Sequence, residues 1–237
     1  MISTTRSFSP AACLLVAVVT GIAGGDVITV DDDDPGADFA TIQEAVDAAV
    51  DGDRIEVWPG YYFGDLQTPD PVVKVDGKSI EIVAVNLDPT LTVIAGQGAR
   101  RCVEWSNTPG DCKLVGFTLD SGYAAASGGG LLIDAAAVQV QECVFQFCVA
   151  GTIGGAIGSS SNTVIPPLAV DCTFVSNAAG TVGGGIGAEG GFDLIGCDCD
   201  GGTAAISGGG AYLFGNPAGK ANYNIVSDCE FRGCEAL

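Results

Sequence analysis

Residues 172–186 read Cys172-Thr173-Phe174-Val175-Ser176-Asn177-Ala178-Ala179-Gly180-Thr181-Val182-Gly183-Gly184-Gly185-Ile186. From Cys172 to the glycine at 183 is 11 residues (183 − 172), and the same interval separates Phe117 from Gly128, Cys143 from Gly154 and Cys197 from Gly208. The segments leading on to the next repeat do not keep step: Gly128 to Cys143, Gly154 to Cys172, Gly183 to Cys197 and Gly208 to Cys229 span 15, 18, 14 and 21 residues. A coil with one rigid side and one variable side fits both facts. A repeat of roughly 25 to 30 residues is too small to bury its own apolar face, so it must stack on its neighbours, as in a parallel β-helix.

Aligning the repeats on the fixed interval gives columns. Phe117, Cys143, Cys172, Cys197 and Cys229 form one, and two residues on stand Leu119, Phe145, Phe174, Cys199 and Phe231. Strand side chains alternate faces, so both columns point inward and the residue between them points out. The glycines at 128–130, 154–155, 183–185 and 208–210 mark a corner where the backbone needs positive φ or close approach. A phosphate-cradling loop is the functional alternative, and it is disfavoured because none of the four copies is followed by Lys-Ser or Lys-Thr.

The 237-residue composition suits a long solenoid of small residues: 47% hydrophobic, 36 glycines, 7% aromatic. One elongated domain over residues 26–237 is the economical reading. Residues 1–25 have the form of a secretory signal peptide, with Arg6, an apolar run over 11–19 and small residues at 21 and 23–25. The run is too short to span a bilayer, so no membrane span is expected after its removal, and localisation is secreted or at the cell surface. The net charge of −20 argues against nucleic acid and anionic membrane, and favours cations or basic surfaces.

The run Asp31-Asp32-Asp33-Asp34 reads as a solvated, flexible start to the mature chain, ahead of a calcium site or a partner-binding tail, since contiguous aspartates lack the alternating spacing of a calcium loop. Ile42, Ala45, Val46 and Ala49 then follow helical spacing, with Thr41 and Glu44 placed as a capping box and Gly52 as the stop. This short helix, just before a strand at 54–58, is expected to cap the open end of the β-helix, whose unpaired edge would otherwise template aggregation. Irregular early strands follow at 72–75, 80–85, 91–95, 102–105 and 114–119.

The segment Phe174-Val-Ser-Asn177 followed by Gly183-Gly-Gly-Ile186, with Gly154-Gly-Ala-Ile157 one coil earlier, resembles the FxxN and GG(A/G)I repeats of polymorphic outer-membrane-protein-like β-helices. Residues 38–46 and 52–61 resemble the N-terminal coil of the pectin-lyase-like superfamily, as found in secreted right-handed parallel β-helix proteins and pectinesterases. The resemblance implies an all-β, right-handed solenoid and no particular activity, because such repeats encode stacking rather than chemistry. Only the Cys172 coil carries Asn at the fifth position after the core residue; the others have Gly122, Cys148, Gly202 and Cys234, so no continuous asparagine ladder is expected.

Pectin-cleaving relatives make an enzyme the sharp hypothesis. A lyase of that class implies an Arg or Lys base, and residues 114–219 contain neither; the Gln, Asp and Arg signature of the esterases is also missing. Hydrolases of the fold use clustered aspartates, and Asp198 and Asp200 flank Cys199, outward and about 7 Å apart along one strand, a separation that can serve an inverting acid and base pair. No His or Arg is seen to accompany them. Glu142 and Asp171 belong to a column one residue before the core position, with Gly116, Gly196 and Asp228, and are expected to stack directly; Asp198 and Glu230 share another outward column. Like charges stacked this way are unfavourable unless solvent or a cation screens them, so Glu142, Asp171, Asp198 and Glu230 are the candidate calcium ligands against the plainer reading of a solvated acidic face. No other cofactor is implied.

Most of the 10 cysteines are read as buried thiols, since stacked neighbours in one column have nearly parallel Cβ vectors. Cys148 and Cys234 share a column three coils apart and cannot bridge. Cys102 and Cys112, around the turn-rich 106–110, are the best disulfide candidate, and a zinc site through Cys197 and Cys199 is disfavoured, since alternate positions in a packed coil offer no closed tetrahedral set and the chain has no His.

The function expected is therefore a non-catalytic surface scaffold for adhesion or polysaccharide and cation contact, with a divergent carbohydrate-active enzyme as the alternative. The next glycine corner would fall at 240 (229 + 11), past Leu237. The final coil is thus expected to be incomplete, with the chain a piece of a longer protein or the open end covered by self-association.

Overall fold

The structure, a computed structural model, describes residues 25–64, 71–108, 110–160, 165–214 and 224–237. The signal peptide reading falls on residues outside these, apart from Gly25. Short strands wind through about seven turns, and every pairing between coils is parallel. Among the described residues they build four ladders, of eight, seven, six and five strands. The all-β solenoid read from the repeats is the fold.

One coil shows why the interval is fixed. Strand Ala137–Gln141 belongs to the eight-stranded ladder, Val144–Gln146 to the seven, Val149–Ala150 to the five and Ile157–Ser159 to the six. The 11-residue arc from Cys143 to Gly154 crosses the seven- and five-stranded ladders. The return crosses from the six-stranded to the eight-stranded ladder, and there coil length varies. Gly154 and Gly183 both sit at φ near +65° (65° and 67°), and a Cβ at either would collide with the carbonyl of Ile157 or Ile186 in the same turn. Glycine there is required by geometry.

The inward column is seen residue for residue: Leu119 opposes Phe145, Phe145 opposes Phe174, Phe174 opposes Cys199, and Cys199 opposes Phe231. The first four are buried. Phe145 and Phe174 stack with centroids 5.2 Å apart and planes 15° from parallel, burial worth about 1.5–3 kcal/mol per ring. Asn177 is buried below them; its Oδ1 accepts from the Cys148 backbone N–H and its Nδ2 donates to the Phe145 carbonyl, both at 2.9 Å.

The run expected as one strand over 114–119 is two, Asp111–Val115 and Thr118–Asp120, broken by a corner at Gly116. The corner recurs, with Glu142, Asp171, Gly196 and Asp228 all at φ between 50° and 63°. A lone apolar run does not reveal where a strand changes sheet.

The helix is Ile42–Ala48, capped by Thr41, whose hydroxyl accepts from the Glu44 N–H and donates to the Glu44 carboxylate. It ends before Gly52, at an extended Ala49, and its last carbonyls at Val46 and Asp47 accept from Lys78 Nζ. Ile42, Ala45 and Val46 are buried against strands Val27–Val30, Arg54–Val57 and Val73–Asp76. Gln43 reaches the outer edge of Val73–Asp76: its Oε1 accepts from Lys74 N–H at 2.7 Å and its Nε2 donates to the Lys74 carbonyl at 3.3 Å. Capping is thus performed both by the apolar face and by one amide that satisfies an edge strand.

Two early expectations are corrected. Strand Val27–Val30 precedes the helix and pairs with Arg54–Val57, so residues 31–34 are not a flexible start. They form a turn in which Asp31 Oδ1 accepts from the Asp33 and Asp34 N–H groups and Asp34 Oδ1 from that of Gly36. Aspartate favours such turns because its carboxylate can bond its own backbone two residues on. Cys102 and Cys112 are both free and buried; the extended strand Val103–Ser106, about 13 Å long at ~3.3 Å per residue, carries the chain away from Cys102 before the turn begins.

At the C-terminal end the strands Val226–Ser227, Glu230–Arg232 and Glu235–Ala236 continue three of the ladders as their last members. They do not fold over the end. Val226, Phe231 and Leu237 are exposed there. No helix among the described residues is long and apolar enough to cross a membrane.

Candidate functional site

The outward face of the last two coils is the strongest cluster of the residues singled out in the sequence. In strand Asp198–Asp200 the two carboxylates are exposed and Cys199 between them is buried, as alternation requires. Asp198 lies between Thr173 and Glu230 in the neighbouring coils, and Asp200 between Val175 and Arg232. Glu230 and Arg232 form a two-pronged ion pair along their own strand, with Nε to Oε1 at 2.5 Å and Nη2 to Oε2 at 2.6 Å. This pairing lowers the Glu230 carboxyl below the usual range and raises the Arg232 guanidinium, which also feels Asp198 and Asp200.

Arg232 corrects the expectation that no arginine accompanies the aspartates. It lies 32 residues beyond Asp200, outside the base-free stretch 114–219, and only the register of the final coil brings it opposite. The signal was available by extending the column alignment through Cys229, which puts Arg232 in the column of Asp200. Four charged side chains therefore share one exposed patch, three acidic and one basic.

Glu142 and Asp171 are placed differently from Asp198 and Glu230. Both are exposed, and both occupy left-handed corners rather than strands, at φ 52° and 50°. Glycine, aspartate and asparagine tolerate that region best among natural residues, so the column Gly116, Glu142, Asp171, Gly196 and Asp228 is selected largely by backbone shape. The Asp171 carboxylate lies over Gly196 of the following coil, in the space a Cβ there would occupy. It is turned toward that coil and away from Glu142.

Among the described residues no three Asp, Glu or Cys side chains converge to hold a metal ion. Calcium takes 6–8 oxygens at roughly 2.3–2.6 Å, and a pair such as Asp198 and Glu230 supplies too few to enclose one. This donor set does not fit a resident calcium.

The core thiols form a ladder of their own. The Cys143, Cys172 and Cys197 thiols each lie between two carbonyls, one in their own coil at Gln141, Val170 and Ile195 (3.2–3.4 Å) and one in the preceding coil at Leu114, Val140 and Ala169 (3.5–3.6 Å). Burial pushes the Cys143 thiol up to about 12. Cys234 Sγ lies 3.5 Å from Cys199 Sγ, a proximity the column reading missed because the two belong to different columns, joined only by the curvature at the corner after Phe231. Compared with known proteins, the chain matches no family model, no curated protein and no solved structure.

Proposed function

We propose that the chain is a secreted or cell-surface solenoid scaffold of the pectin-lyase-like kind, non-catalytic, that presents its acidic outer face to polysaccharide through bridging cations or to a basic surface. The observation that carries the reading is the exposed patch of Asp198, Asp200, Glu230 and Arg232 across two coils. An open face of this kind supplies part of a calcium shell and leaves the remaining oxygens to the carboxylates of a bound polymer. The leader-like residues 1–25, the GG(A/G)I and FxxN repeats and the net charge of −20 support export and a cationic partner.

A second reading is favoured by the same patch. Two aspartates about 7 Å apart along a strand, with an arginine beside one of them, are a minimal set for glycoside hydrolysis, in a divergent enzyme of the same class. Titrating polygalacturonate, pectin and alginate with and without calcium separates the two. Calcium-dependent binding without product, weakened by Glu230→Gln together with Asp198→Asn, is the expected result. Turnover that Asp198→Ala abolishes would select the enzyme.

A further inference from the structure

A second corner recurs from coil to coil, at Ser121, Phe147, Ser176, Gly201 and Gly233, all at φ between 49° and 67°. The residue after it is Gly122, Cys148, Asn177, Gly202 or Cys234. Wherever this seat carries a side chain, it leans on the inward residue of the coil before. Cys148 Sγ lies 3.5 Å from the Leu119 carbonyl oxygen, Asn177 Nδ2 donates to the Phe145 carbonyl at 2.9 Å, and Cys234 Sγ lies 3.6 Å from the Cys199 carbonyl oxygen. Leu119 and Phe145 bring no sulfur to the seat above them. Cys199 does, and its Sγ is 3.5 Å from that of Cys234.

A disulfide needs Cβ vectors that converge, which stacked members of one column lack. Cys199 stands before the corner and Cys234 after it, in neighbouring coils, so their side chains approach from two sides. Sulfurs now 3.5 Å apart have to close to ~2.05 Å, a movement of about 1.5 Å. Room and slack are both present. Gly185 and Gly210 lie against the two sulfurs, where an added Cβ would stand 3.1 Å from each Sγ. Gly233, at φ 55°, immediately precedes Cys234, and glycine adjusts its backbone there at little steric cost. The strands on either side of Cys234 are the outermost described members of their ladders, so among the described residues they shift without displacing a further coil.

We propose that Cys199 and Cys234 are a disulfide-forming site that fastens the coil of Glu230–Arg232 and Glu235–Ala236 to the coil beneath it. Cys234 is partly exposed and Cys199 is buried, and burial pushes the Cys199 thiol up. Exchange therefore begins at Cys234. Its thiolate attacks one sulfur of a small-molecule disulfide such as oxidised glutathione, which forms a mixed disulfide and expels one thiolate. The Cys199 sulfur then attacks Cys234 Sγ, loses its proton and expels the second thiolate. Two protein thiols are oxidised, one small disulfide is reduced to two thiols, and the two protein protons pass to them. The bond closes a loop across 35 residues and ties together the two strands that carry Asp198, Asp200, Glu230 and Arg232. It does not rest on the function proposed for them.

The full chain is reduced, moved into a mixture of oxidised and reduced glutathione, quenched in acid, alkylated and mapped by peptide mass. The expected product is a peptide pair joined through Cys199 and Cys234, in equal yield at low and high chain concentration, with Cys143 and Cys172 recovered as thiols. Amide hydrogen exchange over residues 230–236 should slow at least about 10-fold on oxidation and return on reduction, because the bond opposes local opening of that coil. Cys229→Ser removes the other partly exposed thiol and should leave the linkage in place. Cys199→Ala should stop the reaction at the mixed disulfide on Cys234. The same exchange in urea should scatter among the cysteines. Linkage of Cys234 to Cys229 or to a second chain, a glutathione adduct on Cys234 of the parent that never resolves, unchanged hydrogen exchange in the oxidised chain, or a Cys199 to Cys234 yield as high in urea as in the folded chain would overturn the proposal.

Discussion

Asn177 makes two hydrogen bonds that its counterparts Gly122, Cys148, Gly202 and Cys234 do not make with side-chain amides. It joins Cys148 N–H and Phe145 C=O in the coil beneath. Replacing it by Ala leaves the Cys148 N–H buried and unmet, at about 1–3 kcal/mol, whereas the Phe145 carbonyl keeps its ladder bond from the strand Thr173–Val175. Urea unfolding of Asn177→Ala should therefore show a loss of about 1–3 kcal/mol, and Asn177→Asp should recover part of it, since a carboxylate still accepts from Cys148 N–H but has no hydrogen to give Phe145. Asp171 tests the opposite case, where backbone shape governs the residue. At φ 50°, Asp171→Gly should leave the unfolding midpoint within about 0.5 kcal/mol of the parent, while Asp171→Val should cost about 1–2 kcal/mol for a side chain forced into the left-handed region. A large loss on Asp171→Gly would instead restore a specific role for the carboxylate.

At the scale of the element, the thiol column gives each coil a small inward group within reach of carbonyls in its own coil and in the coil below. Cys143, Cys172 and Cys197 are buried, whereas Cys229 and Cys234 are partly exposed in the last coil. Alkylation of the folded protein at pH 8 should therefore reach Cys229 and Cys234 first and leave Cys143 and Cys172 untouched until unfolding, as peptide mass mapping would show. The pH dependence follows from the direction of the shift. The Cys143 thiol is raised in the folded chain to about 12, against roughly 8.5 unfolded, so its contribution is complete below the unfolded value and is lost as pH rises toward 12. Cys143→Ala should flatten the decline of the urea midpoint between about pH 9 and 11; an unchanged slope would assign the decline to other groups.

At the scale of the whole stack, the first and last described coils differ in what covers their strand edges. At the N-terminal end the helix buries its apolar face, and Gln43 satisfies the edge of strand Val73–Asp76. In the last described coil Val226–Ser227, Glu230–Arg232 and Glu235–Ala236 are the outermost strands of their ladders, with Val226 and Phe231 exposed on them. Unblunted edges of this kind recruit further strands. Sedimentation of the chain should show an elongated particle whose mass rises with concentration, and Phe231→Lys should hold it at the mass of one chain. A parent chain that stays monomeric at every concentration would remove self-association from the account.

The sequence by itself determined the solenoid, the inward columns and the glycine corner, because stacking repeats the same physical demand at the same residue interval in every coil. The 11-residue spacing, Phe145 above Phe174, and the helix with Thr41 at its start were all legible for that reason. Tertiary structure decided whatever depends on how one coil turns or meets another at a place where the repeat is broken. A corner divides 114–119 because left-handed backbone leaves no apolar signature. Strand Val27–Val30 exists because Arg54–Val57 offers it an edge. Arg232 reaches Asp200 only through the register of the final coil, and Cys234 meets Cys199 across a bend, since a residue in the sequence carries no record of which side chain the neighbouring coil will set against it.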